Sequence, residues 1–254
     1  LEFRRVLFRS KMIKMKTTKI YLFLLTFTIS LVMKAQESNE ILQVKYTTNS
    51  VSEFLVNMLK KQIQDPDEYN KVMQLMSEYK NYNTLYYDKK SKESLYVLDS
   101  IHKIPGVSVS GYTEFIKKDA DGSLKGKEVF MESEFSFTGN SKDLKWTITS
   151  EKKDIEGYSC TKAILENMPG LYVWFTTEIA IDAGPYIFYG LPGLVLEANS
   201  FFQNVSVTSV SYTQKSEFNS MFEKDKFNLN EKAYSLEEIF VRKKNFKNKV
   251  EKGK

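Results

Sequence analysis

From about residue 82 onward the chain alternates between apolar and polar positions with a period of two, which only a β-strand satisfies. Leu144, Trp146 and Ile148 fall on one side, and Lys145, Thr147 and Thr149 on the other. Val129, Met131, Phe135 and Phe137 are assigned to one face, opposite Glu132 and Glu134. Turn dipeptides break the runs: Asp121-Gly122 separates Tyr112–Lys118 from Leu124–Met131, and Pro169-Gly170 separates Tyr158–Glu166 from Leu171–Ile179. Links this short join antiparallel neighbours. The expected fold is therefore α+β and mainly β. It is one curved antiparallel sheet of about eight to eleven strands, a half-open barrel, with two N-terminal helices packed on it and a C-terminal helical tail.

The helices declare themselves by a change of period. Ile41–Thr47 reads as a first strand, and Ser50-Val51-Ser52-Glu53 as a capping box. Val51, Phe54, Leu55, Met58, Leu59 and Ile63 then follow at helical spacing. Asp65-Pro66-Asp67-Glu68 opens a second helix, with proline at its first position. Its apolar stripe is Tyr69, Val72, Met73, Met76 and Tyr79. Near the other end, Ser235-Leu236-Glu237-Glu238 is a further capping box. A weak stripe follows it (Leu236, Ile239, Phe240, Phe246, Val250) among Arg242, Lys243, Lys244, Lys247, Lys249, Lys252 and Lys254. This tail reads as a solvated, fraying terminus, with contact to an anionic membrane as the alternative.

Residues 1–11 resemble the translation of a sequencing adapter, and residues 12–36 read as a secretory signal. Lys14, Lys16 and Lys19 precede a 14-residue apolar run, Ile20–Met33, which is shorter than the ~20 residues of a spanning helix. Cleavage is expected near Ala35 or Gln36, which makes the protein periplasmic or secreted. Of the 37 basic and 32 acidic residues, eight and one fall before residue 37, leaving 29 and 31. The basic character thus belongs to the leader, and nucleic acid is not expected as a partner. The remaining boundaries are a β-rich domain over 37–217 and a charged, partly helical tail over 218–254.

The stretch GPYIFYGLPGL, Gly184–Leu194, combines turn formers with residues too apolar for an exposed loop. Pro192-Gly193 has the chemistry of a type II turn. The segment is expected to fold back on the sheet as a packed corner. Gly184, Pro185, Phe188, Gly190, Leu191, Pro192, Gly193 and Leu194 are candidates for the rim of a ligand site. Gly190-Leu191-Pro192-Gly193-Leu194-Val195 also resembles the signature of the GLPGLI family of exported bacterial proteins, with valine at the last position. Upstream, Trp146, Ile155, Gly157, Tyr158, Cys160, Lys162 and Ala163, then Trp174, Glu178, Ile179, Gly184, Pro185 and Phe188, are similar to further family segments. Ala180 stands where that family has proline. The resemblance implies secretion and one β-rich domain, with no established activity. The expected architecture resembles periplasmic lipoprotein carriers at the level of fold.

Chemistry-bearing residues are sparse. Cys160 is the sole cysteine and His102 the sole histidine, so a Cys/His zinc site cannot be assembled. No G-x-S-x-G, P-loop or HExxH pattern occurs. His102 with Asp99, Glu132 with Glu134, and Glu178 with Asp182 are the pairs a hydrolase would draw on, and each is read as solvated surface. Asp119-Ala120-Asp121-Gly122 reads as a hairpin turn rather than a calcium loop. The expectation is a non-enzymatic envelope protein with no cofactor and no metal. It would carry a lipid, peptide or other apolar ligand against the curved sheet. Docking on an outer-membrane transport protein is the alternative, and a hydrolase the least favoured.

Overall fold

The computed structural model describes residues 40–104, 111–130, 132–166, 168, 170–222, 229 and 232–252. The adapter-like stretch and the signal lie outside them. The chain from Ile41 onward forms one compact unit, and it is mainly β.

Twelve strands among the described residues form a single sheet. They are β1 (Glu40–Asn49), β2 (Lys80–Tyr87), β3 (Ser94–His102), β4 (Gly111–Lys118), β5 (Ser123–Phe130), β6 (Ser133–Asn140), β7 (Trp146–Ile155), β8 (Tyr158–Leu165), β9 (Tyr172–Thr176), β10 (Leu194–Asn199), β11 (Asn204–Gln214) and the short β12 (Tyr234–Ser235). Their order is β12-β6-β5-β4-β3-β2-β1-β11-β10-β9-β8-β7. Two antiparallel meanders, β1 to β6 and β7 to β11, thus meet where β1 lies beside β11. The short β12 pairs in parallel with β6, on its outer side. Although β6 and β7 lie toward opposite ends of this order, only residues 141–145 join them. A link of that length spans at most roughly 20 Å, so the sheet must curl until its two flanks approach.

Period two sorts side chains onto two faces. On the concave face, Leu42, Val44 and Tyr46 of β1, Leu85 and Tyr87 of β2, Tyr96 of β3 and Ile116 of β4 enter the main core. Their neighbours Ile41, Tyr86, Leu95, Val97 and Phe115 point the other way into a second, smaller cluster. That cluster is covered by helix α3 (Lys215–Phe222), whose Phe218 is fully buried. The concave side is filled rather than hollow: Tyr46, Tyr96, Phe137, Phe188 and Tyr189 are all essentially inaccessible to solvent.

Helices α1 (Glu53–Gln62) and α2 (Pro66–Glu78) precede β2. The cap of α1 is Ser52, not Ser50: its hydroxyl accepts from the Leu55 N–H and donates to the Phe201 carbonyl, tying the helix start to the sheet. Asp65 caps α2, with Pro66 at the first position, as expected. Neither helix has a fully buried residue, and α1 reaches the core through Phe54 and Leu55 only.

The C-terminal helix α4 (Leu236–Glu251) departs most from its expected character. Ser235 and Glu238 form the capping box read from the sequence. Leu236 and Ile239 are buried, however, and Phe240 and Phe246 pack on the main core. Arg242 lies over the ring of Tyr234, and Lys247 over that of Phe201. The apolar stripe therefore faces the sheet rather than solvent or lipid. Among the described residues no helix is long and apolar enough to cross a membrane.

Candidate functional site

The glycine-proline segment connects β9 to β10 and packs where the flanks of the curled sheet come together. Ile187, Phe188, Tyr189, Leu191 and Leu194 are buried. The Tyr189 carbonyl accepts from the Trp146 indole N–H at 2.8 Å, and the Tyr189 hydroxyl lies 3.1 Å from that of Ser94. The Gly190 N–H donates to Asp182. The type II turn expected at Pro192-Gly193 is not formed, because Gly193 does not have a positive φ. Left-handed backbone occurs instead at Gly190 (φ 88°) and Tyr186 (φ 55°). Gly193 is required by contact: a Cβ there would stand 2.0 Å from the Thr176 carbonyl oxygen. Gly184 is confined likewise, with the Phe188 carbonyl 2.6 Å from where a Cβ would stand. Of the eight candidate rim residues, Phe188 lines the cavity described next.

Tyr186 is the residue of this segment with polar chemistry. Left-handed backbone costs a side-chain-bearing residue about 1–2 kcal/mol, and here that conformation directs the ring inward. Its ring packs edge-on against Phe137 and Phe188. Its hydroxyl accepts a hydrogen bond from Lys243 Nζ of α4 at 2.9 Å. The same ammonium donates to Glu128 Oε2 of β5 at 2.8 Å. Glu128 is 4% exposed. Its other oxygen, Oε1, is buried and has no hydrogen-bond partner among the described residues.

Three distant parts of the chain thus converge: a strand, a corner and the last helix. Burial raises the Tyr186 hydroxyl far above its ordinary value, and the Glu128 carboxylate beside it adds to the effect. Burial works against the Lys243 ammonium, but Glu128 and Tyr186 more than offset it and hold Lys243 well above the usual lysine value. The trio carries a proton on lysine and on tyrosine at neutral pH.

Glu128 and Lys243 border a partly enclosed cavity of about 50 Å³. Its wall is largely apolar, from Phe130, Met168, Leu171, Phe188, Ala198, Phe202, Val205 and Phe240. Half-buried Tyr112, Ser200 and Gln203 also line it. The arrangement places a buried carboxylate, held by an ion pair and beside a tyrosine hydroxyl, at the wall of a largely apolar cavity. A hydrogen bond to such an acceptor is stronger than one in water, and leaving it unmade is costly.

Sequence reasoning missed all three residues. It placed Val129 inward, whereas β5 turns Leu124, Gly126 and Glu128 to the concave side and Lys125 and Lys127 outward. A charged residue in phase with Leu124 was the available signal. Lys243 was read as part of a solvated tail.

The other candidate pairs do not assemble. Asp99 accepts from the Thr84 hydroxyl at 2.7 Å, and His102 is exposed at the end of β3. Glu132 lies in the turn between β5 and β6 rather than on a strand face, while Glu134 pairs with Lys127 at 2.9 Å. Glu178 accepts from the Ser159 N–H, and Asp182 faces Lys118 at 3.8 Å. Asp121 accepts from the backbone and hydroxyl of Ser123, a hairpin turn as expected. Cys160 is buried, and burial pushes its thiol up to about 11.

Residues 115–238 match the family model described as "N-glycanase peptide, N-terminal domain". This match overturns the resemblance to the GLPGLI family. It also overturns two further expectations, a carrier of an apolar ligand and a non-enzymatic protein. No curated protein matches the chain. Among solved structures, the chain is similar to PNGF-II in a P21 crystal form, at 15% identity and a TM-score of 0.44, covering 83% of this chain and 34% of that one. The C2 form gives 16% identity and a TM-score of 0.45, covering 83% and 33%. The chain therefore spans about a third of the length of those structures.

Proposed function

We propose that this protein works on the glycans of N-glycosylated proteins, in the manner of the N-terminal part of an N-glycanase-type enzyme. The observation that carries the reading is the family match over residues 115–238, which includes Glu128 and Tyr186 and most of the sheet. The trio and its cavity suit a carbohydrate-bearing ligand. Sugars present neutral hydroxyl and amide donors beside small apolar groups, and a fixed carboxylate oxygen within aromatic walls accepts such donors. The GPYIFYGLPGL corner contributes Tyr186 and Phe188 to that wall, which gives the segment its role beside the ligand. The half-open curvature matters in the same way: it brings β5, the corner and α4 to one place. A secretory signal over residues 12–36, as read from the sequence, would take the protein to where glycoproteins are met.

The test uses the full chain with a high-mannose glycoprotein and the same protein stripped of its glycans. Binding is followed by biolayer interferometry, and glycan release by mass spectrometry. Binding to the glycosylated form, at least tenfold tighter than to the stripped one, is the expected result. Equal affinity for both, with no glycan released, would sink the reading.

A further inference from the structure

A groove away from the trio lies at the turn between β2 and β3, and a buried framework fixes that turn. Asp88 accepts from the Lys90 N–H at 2.8 Å and from Lys215 Nζ at 2.7 Å, while the Lys92 N–H donates to the Asp88 carbonyl at 2.7 Å. Lys118, 4% exposed at the end of β4, donates to the Lys92 carbonyl at 3.3 Å. Lys92 itself adopts left-handed backbone (φ 64°). So held, the turn places Lys89 and Lys92 on one wall of a groove of about 380 Å³, with Tyr87, Tyr212 and residues 178–181 around it. That volume falls within the roughly 300–1,000 Å³ of small-molecule sites.

The charges of this groove do not balance. Lys89 donates to the Tyr212 hydroxyl at 3.1 Å and lies over its ring. Among the described residues neither Lys89 nor Lys92 has a carboxylate within ion-pair distance. Behind them Lys118 is loosely matched, by Asp182 at 3.8 Å. Burial pushes its ammonium down, Asp182 opposes this, and Lys92 pushes it down further. The groove therefore has positive charge to spare, which an anion would take up. Glu178 is the acidic residue on its wall, and one of its oxygens already accepts from the Ser159 N–H at 2.8 Å. Its charge disfavours a doubly charged phosphate, and its other oxygen suits a neutral hydroxyl. Ile179, Ala180 and the Tyr212 ring add an apolar side. These walls describe a monoanion that carries hydroxyls on one side and a C–H face on the other. We infer that the groove binds an acidic sugar, with Lys89 and Lys92 on its carboxylate, Glu178 on a hydroxyl and Tyr212 beside the ring. This rests on the glycan reading above and names a class of sugar that reading leaves open.

The test titrates the full chain by calorimetry with 3′-sialyllactose and with glucuronic acid, each beside its own methyl ester, which keeps the shape and loses the charge. An acid is expected to bind about tenfold or more tightly than its ester, by one charge-assisted hydrogen bond, and the gap should narrow at high salt. Which acid shows the preference tells a nine-carbon sugar acid from a hexuronic acid. Lys89→Met combined with Lys92→Met removes both charges and keeps most of each side chain, and the preference should vanish. Both lysines are exposed, so the thermal melt should not move. Lys90→Met, on the same turn but not lining the groove, should keep full affinity. Equal affinity for acid and ester in both pairs, or an undiminished preference in the folded double variant, overturns the groove and leaves the glycan reading standing. Failure of all four compounds to bind also overturns it. The measurement on a high-mannose glycoprotein, whose glycans are neutral, then decides the broader reading by itself.

Discussion

At the scale of single residues, the ion pair between Glu128 and Lys243 should dominate mutational effects. Truncating one member of a buried pair strands the other charge, at about 3 kcal/mol or more. Glu128→Ala is expected to lower stability by that amount in urea denaturation. Glu128→Leu combined with Lys243→Met should recover much of the loss, since two apolar groups replace two charges. Two glycines offer a second comparison. Gly157 has φ 80° and open space around its missing Cβ, whereas Gly193 lacks a positive φ but abuts the Thr176 carbonyl. Gly157→Ala should therefore cost about 1 kcal/mol from backbone strain. Gly193→Ala should cost about 4 kcal/mol or more, because the corner must move off β9. Melting temperatures for the two would separate strain from collision.

At the scale of elements, α4 is part of the core rather than an appendage. Ser235→Ala removes a cap that accepts from Glu238 and should cost about 1 kcal/mol. Deleting residues 236–252 is expected to do far more, exposing the surfaces that Leu236, Ile239, Phe240 and Phe246 cover and stranding Glu128. Loss of the cooperative melt would confirm this; an unchanged melt would restore the solvated tail. The sequence read the start of α4 correctly, because capping is local chemistry carried by Ser235 and Glu238. It could not read where the stripe points. Leu236, Ile239, Phe240 and Phe246 mark a weak apolar face, and whether that face meets solvent or a sheet depends on strands more than a hundred residues away. The cap of α1 shows the limit at short range: Ser50 and Ser52 both fit by composition, and the bond from Ser52 to Phe201 decides between them.

At the scale of the whole molecule, period two gave the antiparallel meanders, and Asp121-Gly122 gave the hairpin it predicts. The seam between β1 and β11 carries no local signature and was invisible. The site was equally hidden, since it joins residues 128, 186 and 243, and each looks ordinary among its sequence neighbours. Buried titratable groups set the response to pH. Tyr46, Tyr96, Tyr186 and Tyr189 are all raised, chiefly by burial. The unfolded chain ionises its tyrosines near pH 10, so it loses protons that the folded chain retains. Stability should be full below that pH and fall as pH rises beyond it. Phenolate absorbance at 295 nm should show these four ionising only as the protein unfolds. On the acid side, Asp88 is lowered: burial opposes this, but hydrogen bonds from Lys215 and the backbone at residues 90 and 91 prevail. Its contribution is present above the usual carboxylate range and lost as pH falls through it.

The pairing of β1 with β11 has a consequence for biosynthesis. As the polypeptide emerges from its amino end, strand one has its first neighbour by Tyr87 but must wait for residues 204–214 before its second flank is occupied. For over a hundred residues of elongation a nascent molecule presents an unsealed ribbon of backbone donors and acceptors, the kind of surface on which chains stick to one another. Prematurely terminated products ending before Asn204 should therefore be sticky and short-lived, and a holding chaperone would be needed until the last meander arrives to close the gap.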